Sequence, residues 1–275
     1  MNRLAIFQAS GWLLAASGVA IAAPQPQPQP LPCPAAPAEM ACIPGGWFVR
    51  GSRRQKNERP VMRVFVQTFL LDRYEVTNAD YRACIKAGRC RRAGPNYRGF
   101  SAPRQPIVGV NWYDARDYCR YRAGRLPSEA EWERAARGDD GDRYPWGNRR
   151  PSCRLAVIKA ARINGCGRGK TWPVGSRPPQ RYGLYDMAGN SWEWVADWYS
   201  PNYHICGAAC AGVNPKGPCG GADECPGYRR KIVKGGSWYW PGDDARGARR
   251  RPHVPANRPF HHFGFRCARS LPANR

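Results

Sequence analysis

The stretch Tyr182-Gly183-Leu184-Tyr185-Asp186-Met187-Ala188-Gly189-Asn190-Ser191-Trp192-Glu193-Trp194 sets a turn directly before a strand. Glycine and asparagine supply the left-handed backbone that tight turns need, and an aspartate such as Asp186 caps them. Trp192 and Trp194 then alternate with Glu193, the period of a strand with one packed face. This predicts a strand over 192–198, with Trp194 in the core.

Upstream, three short helices carry start signals. Thr77 with Asp80 opens a helix to about Ala87, and Asn111 with Asp114 opens one to about Arg122. Ser128 with Glu131 forms a capping box for a helix that stops at Gly138. Ala41 to Gly51 reads as an opening strand with a glycine turn, and Val61 to Leu71 as one further strand. Downstream, strands are predicted at 231–238 and 263–269. With 30 glycines and 27 prolines much backbone must be irregular, which suits an α+β fold with long ordered loops. There is no internal repeat.

Residues 1–23 have one basic residue, Arg3, then an apolar run ending Ala20-Ile21-Ala22-Ala23. That is the layout of a cleaved signal peptide, and no later segment is long and apolar enough to span a bilayer. Residues 24–40 are rich in proline, alternating with glutamine over 24–30, and predict an extended polyproline II spacer. Residues 41–275 remain as one domain.

Twelve cysteines behind a signal peptide predict disulfides and an oxidising compartment, secreted or periplasmic. There is no C-x2-C pair, and the histidines lie apart from the cysteines, so no zinc site is indicated. Cys84 with Cys90, Cys153 with Cys166 and Cys33 with Cys42 read as local staples. Cys206, Cys210, Cys219 and Cys225 should form two more bridges of open connectivity. The formal charge of +24 favours acidic partners. Outside the cytosol these are an acidic peptide or protein, or an anionic glycan, rather than nucleic acid, and the protein is expected to be a monomer.

Asp72 to Asn78, Pro106 to Trp112, Gly124 to Glu133, Tyr144 to Gly147, Tyr182 to Trp194, Lys234 to Trp238 and Phe263 to Cys267 form a collinear set. In that order the chain resembles the formylglycine-generating enzyme, or sulfatase-modifying factor, superfamily across roughly 42–270. The resemblance implies a C-type-lectin-like variant fold with little regular secondary structure. It also implies a disulfide from Cys119 to Cys267, and a calcium ion held by the positions of Asp186, Gly189, Ser191 and Glu193. Two carboxylates and two backbone carbonyls are the hard oxygen donors calcium prefers. The family's second calcium site looks lost between Cys153 and Cys166.

The family's oxidase holds copper on two thiolates, ligands suited to Cu(I). The corresponding positions here are Trp240 and Ala245, so neither copper nor formylglycine formation is expected. A second family disulfide is replaced by Ala136 and the 248–250 region. The resemblance places a substrate pocket at Trp192, Ser237, Trp240, Arg251 and His262, with a two-residue deletion blurring Arg251 against Arg250. His261 and His262 read as surface or hydrogen-bonding histidines. The expected function is a binding module for an acidic peptide or glycan. The alternative is an enzyme of another chemistry on the same fold, as in members that mature a siderophore chromophore.

Overall fold

The computed structural model describes residues 27–95, 97–256 and 260–272, so the signal-peptide expectation lies outside the described residues. Among the described residues ten short strands and four α-helices, with short 3-10 turns between them, alternate with long loops, giving an α+β architecture. The strands are β1 (Met40–Ile43), β2 (Gly46–Arg50), β3 (Met62–Val66), β4 (Phe69–Asp72), β5 (Trp192–Trp198), β6 (Gly212–Val213), β7 (Lys231–Lys234), β8 (Arg251–His253), β9 (Phe263–Gly264) and β10 (Ala268–Ser270). They form three sheets in the orders β1-β4-β10, β2-β3-β6 and β8-β7-β5-β9.

The helices α1 (Asn78–Lys86), α2 (Trp112–Tyr121) and α3 (Glu129–Arg137) each begin with a complete capping box. Thr77, Asn111 and Ser128 accept from the backbone N–H three residues on, whose acidic side chains accept in return. A fourth, single-turn helix α4 covers Tyr203–Cys206.

Two expected strands divide. The run 61–71 turns at Gln67-Thr68, so β3 pairs with β2 while β4 pairs with β1 and β10. The opening run divides likewise at Pro44-Gly45 into β1 and β2. The glycine turn expected in the opening run is the jog at Pro44-Gly45; the other, at two polar residues between apolar runs, carries neither glycine nor proline to mark it.

The one-face reading of β5 is also corrected. Nearly every residue of it is buried, since α3 packs in one core with Trp132 and Val195 while Trp192 and Trp194 join α2 in another. Its polar members are matched inside: the Arg266 guanidinium forks onto Glu193 at 2.7 Å through Nε and Nη2, and Trp132 Nε1–H donates to Glu193 at 2.7 Å.

The proline-rich segment runs against the domain at Gln29 to Leu31. Gln67 Oε1 accepts from Leu31 N–H (2.7 Å), Gln67 Nε2 donates to Gln29 O (3.1 Å), and Thr68 Oγ1 donates to Leu31 O. The segment is pinned further by a disulfide from Cys33 to Cys42. Proline leaves carbonyl acceptors free, and the turn between β3 and β4 takes them up.

All twelve cysteines pair. Cys119 joins Cys267, linking α2 to the stretch before β10, and Cys84–Cys90 and Cys153–Cys166 close local loops. The open connectivity resolves as Cys206–Cys210 and Cys219–Cys225. Among the described residues no helix is long and apolar enough to cross a membrane.

Candidate functional site

The pocket residues expected from the sequence gather where β5, β8 and the segment before β9 meet the loop after β7. Trp192 opens β5, lies opposite Phe263 of β9 and donates its backbone N–H to His262 O at 2.8 Å. Trp240, half-buried, stands in the loop after β7. The Arg251 guanidinium lies over both indoles, 4.4 Å from the Trp240 ring and 5.8 Å from that of Trp192.

The structure also separates Arg251 from its neighbour. Arg250 is buried and donates to Glu129 at 2.6 Å, whereas Arg251 forms no ion pair among the described residues and faces the indoles.

Of the surface or hydrogen-bonding roles expected for the histidine pair, the surface one fails for His262. It is buried, stacked against Tyr239 and Phe260, with Phe263 edge-on at 4.5 Å. Burial, reinforced by His261, Arg251 and His253, pushes its imidazole down to about 3, so it is neutral at ordinary pH. His261 packs among Tyr97, Phe100 and Trp238.

Four buried ring nitrogens in this region have no hydrogen-bond partner: Trp192 Nε1, Trp240 Nε1, His261 Nδ1 and His262 Nδ1. A buried polar group left unpaired costs on the order of 1–3 kcal/mol, so four beside one free guanidinium mark a place where polar ligand atoms would be stabilised. The sequence signal was the paired aromatic runs Trp238-Tyr239-Trp240 and Phe260-His261-His262-Phe263. Tyr239 and Phe260 went unnamed as rim residues because a run of aromatics reads equally well as core.

Ser237 is fully buried, and its hydroxyl accepts from Tyr239 N–H at 3.4 Å, so it shapes the loop instead of facing a ligand. The glycines before it serve packing. A Cβ on Gly236 (φ 77°) would sit 2.8 Å from Ala245 Cα, and one on Gly235 (φ 91°) 3.0 Å from the Trp132 ring. Ala245 is thereby sealed in the interior with Ala156, Ile158 and Ala188. Ala136 is fully buried, and a Cβ on Gly247 would meet it at 3.6 Å.

The turn expected to hold calcium is strongly curved, with φ of 56° at Asp186, 83° at Gly189 and 57° at Asn190. Asp186 is buried and accepts from Gly175 N–H at 2.7 Å, while Glu75 accepts from Ser191 N–H, Ser191 Oγ and Asn190 Nδ2. Both oxygens of Glu193 are engaged by Arg266 and Trp132. Burial raises Asp186 to about 6 and Glu75 well above its usual value, each reinforced by neighbouring carboxylates. Among the described residues no set of three His, Cys, Asp or Glu side chains is arranged as a metal site. The donor chemistry thus fits at Asp186 and is already committed at Glu193.

Comparison with known proteins follows this geometry. Residues 24–271 match the model of the sulfatase-modifying factor enzyme 1-like domain. The chain is 36% identical over 253 residues to serine/threonine-protein kinase pkn1 of Chlamydia caviae, matching 85% of this chain but spanning only 38% of that protein. It is 32% identical over 288 residues to the formylglycine-generating enzyme of Thermomonospora curvata, covering 83% of this chain and 92% of the relative. Among solved structures, PvdO from Pseudomonas aeruginosa superposes with a TM-score of 0.70 at 30% identity, covering 84% of this chain and 94% of that one.

Proposed function

The chain belongs to the sulfatase-modifying factor enzyme 1-like domain family, and from that premise we propose that it is a secreted or periplasmic binding member without formylglycine-generating oxidase activity. Its ligand is an acidic peptide or glycan, taken up at Trp192, Trp240, Arg251 and His262. The observation that carries this reading is the Arg251 guanidinium, which forms no ion pair among the described residues and lies over two indoles whose N–H groups are unpartnered. A guanidinium on an aromatic face keeps its in-plane donors for a carboxylate or sulfate.

Support for the loss of oxidase chemistry comes from the same loop. Every cysteine is consumed in a disulfide, Trp240 occupies one copper position, and Ala245 is sealed behind Gly236 at the other. The purified protein supplied with Cu(I) is expected to leave a Cys-x-Pro-x-Arg peptide unconverted, read by mass spectrometry. Copper-dependent aldehyde formation would overturn the proposal. Arg251→Ala should weaken binding of an anionic glycan probe such as polygalacturonate at least tenfold, read by calorimetry.

A second reading, an enzyme of another chemistry on this fold, is favoured by one feature. His262 is a neutral imidazole whose buried Nδ1 has no partner, an arrangement able to hydrogen-bond a reacting group. A product formed by the wild-type protein but not by His262→Phe would establish it.

We also propose a structural calcium ion at Asp186 with the carbonyls of Gly189 and Ser191. Arg266 is the ion-pair partner of Glu193, leaving the buried Glu75 and Asp186 carboxylates for a cation to offset. Chelation should lower the melting temperature and calcium restore it; a melting temperature insensitive to both would remove the ion from the description.

A further inference from the structure

Between Arg143 and Tyr185 the chain has ten lysines or arginines and no acidic residue, and between Tyr81 and Tyr113 it has seven and none. The fold lays these stretches side by side: Gln105 Nε2 donates to Thr171 O at 2.7 Å, and Val174 N–H donates to Arg104 O at 2.8 Å. Trp172, half-buried, stands at the junction. Over its indole lie two guanidiniums, Arg168 at 3.8 Å and Arg177 at 4.2 Å. Neither forms an ion pair among the described residues, unlike Arg143 and Arg181 near the ends of the same stretch. Arg177 Nε is buried with no partner.

Burial and the like charge of Arg168 weaken the protonated form of Arg177, against the pull of Asp186, and a bound anion would offset both.

A groove of about 370 Å³ runs beside the stack, lined by Gly99, Ser101, Arg168, Lys170, Thr171 and Pro173. It adjoins the cleft proposed around Trp240 and Arg251, because Phe100 packs on Trp238 at 5.3 Å and Gly165 N–H donates to Trp238 O at 2.7 Å. At the cleft rim Tyr97, Tyr239 and Phe260 are 48%, 43% and 39% exposed, presenting aromatic surface to solvent. Neither wall of the groove is a strand that could pair with a peptide backbone. Aromatic faces flanked by unpaired cations instead suit sugar rings carrying acidic groups.

We infer that this groove binds an anionic polysaccharide, its carboxylate or sulfate groups held by Arg168 and Lys170 with Arg177 adding positive charge from the same Trp172 stack, and its sugar rings lying toward the aromatic rim. The inference deepens the binding reading of the cleft by choosing the ligand class and adding a second contact surface.

The test titrates the mature protein by calorimetry, at one ionic strength, with heparin as the sulfated probe, polygalacturonate as the carboxylated probe, and poly-glutamate. Arg168→Gln with Arg177→Gln should weaken heparin or polygalacturonate binding at least tenfold. Arg53→Gln with Arg63→Gln, an equal loss of charge elsewhere, should change it less than twofold, with melting temperatures matched to the wild type. Equal weakening by both pairs would mean nonspecific charge and overturn the inference. So would poly-glutamate binding as tightly as both glycans, or no binding of either glycan. Trp240→Ala separates the two readings. Weakening by Trp240→Ala alone would keep the cleft and discard the groove; weakening by the arginine pair alone would do the reverse.

Discussion

His262 joins structure to pH at the level of one side chain. Its imidazole is held at about 3 by burial and by His261, Arg251 and His253, against an ordinary value near 6.5. Because the folded value is depressed, its contribution to stability is fully present above about pH 6.5 and is lost as pH falls toward 3. At pH 5 the loss is about 2 kcal/mol by that linkage. His262→Phe keeps a ring among Phe260, Phe263 and Tyr239 but cannot protonate, so its stability should fall less between pH 7 and pH 5, as urea unfolding would measure. Identical acid slopes for variant and wild type would show that the ring is not held neutral. No sequence pattern could have supplied this shift, because a His-His pair looks the same on a surface and in a cage.

The element that organises the interior is α3. Its start was legible in Ser128 and Glu131, since a cap is a local exchange of two hydrogen bonds. The work of Glu129 and Glu133 was not. Glu129 accepts from Arg50 of β2 at 2.7 Å and from Arg250 at 2.6 Å, and Glu133 meets Lys234 of β7 at 3.3 Å and Arg137 one turn on. Burial alone would raise Glu129, yet Arg250, Arg50 and Lys234 outweigh it and hold the carboxylate below its usual range. Glu129→Gln leaves two buried guanidiniums without their counter-charge and should cost about 3–5 kcal/mol. Equilibrium denaturation would read it, and a change below 1 kcal/mol would show that the charges are solvated. In sequence nothing marked these glutamates as buried, because Arg50, Lys234 and Arg250 reach them from three distant segments.

Across the whole molecule, the Cys119–Cys267 bridge spans 148 residues and ties α2 to the terminal strand. Closing so long a loop stabilises by about 4–5 kcal/mol through chain entropy. The double variant Cys119→Ala with Cys267→Ala should lose about that much, measured against the wild type without reductant. A loss under 1 kcal/mol would mean that the surrounding aromatic core already confines both ends. Six disulfides and no free cysteine also fit an oxidising compartment.

The sequence by itself determined the α+β class, the family resemblance, the three capped helices and the absence of thiols at the copper positions. Each depends on residue type at a position, or on spacing within a few residues, where local sterics and hydrogen bonds dominate. It also determined that the aromatic runs and Arg251 belong near one cleft, though only through the resemblance. The tertiary structure alone decided that Arg251 and not Arg250 faces that cleft, because Glu129 captures the other guanidinium. It decided that Ser237 turns inward, that β5 is covered on both faces, and that the final proline-rich residues lie against the β3–β4 turn. It alone brought two acid-free stretches together around Trp172. Those outcomes depend on which distant groups compete for the same hydrogen bonds and charges, a competition settled only when the chain closes on itself.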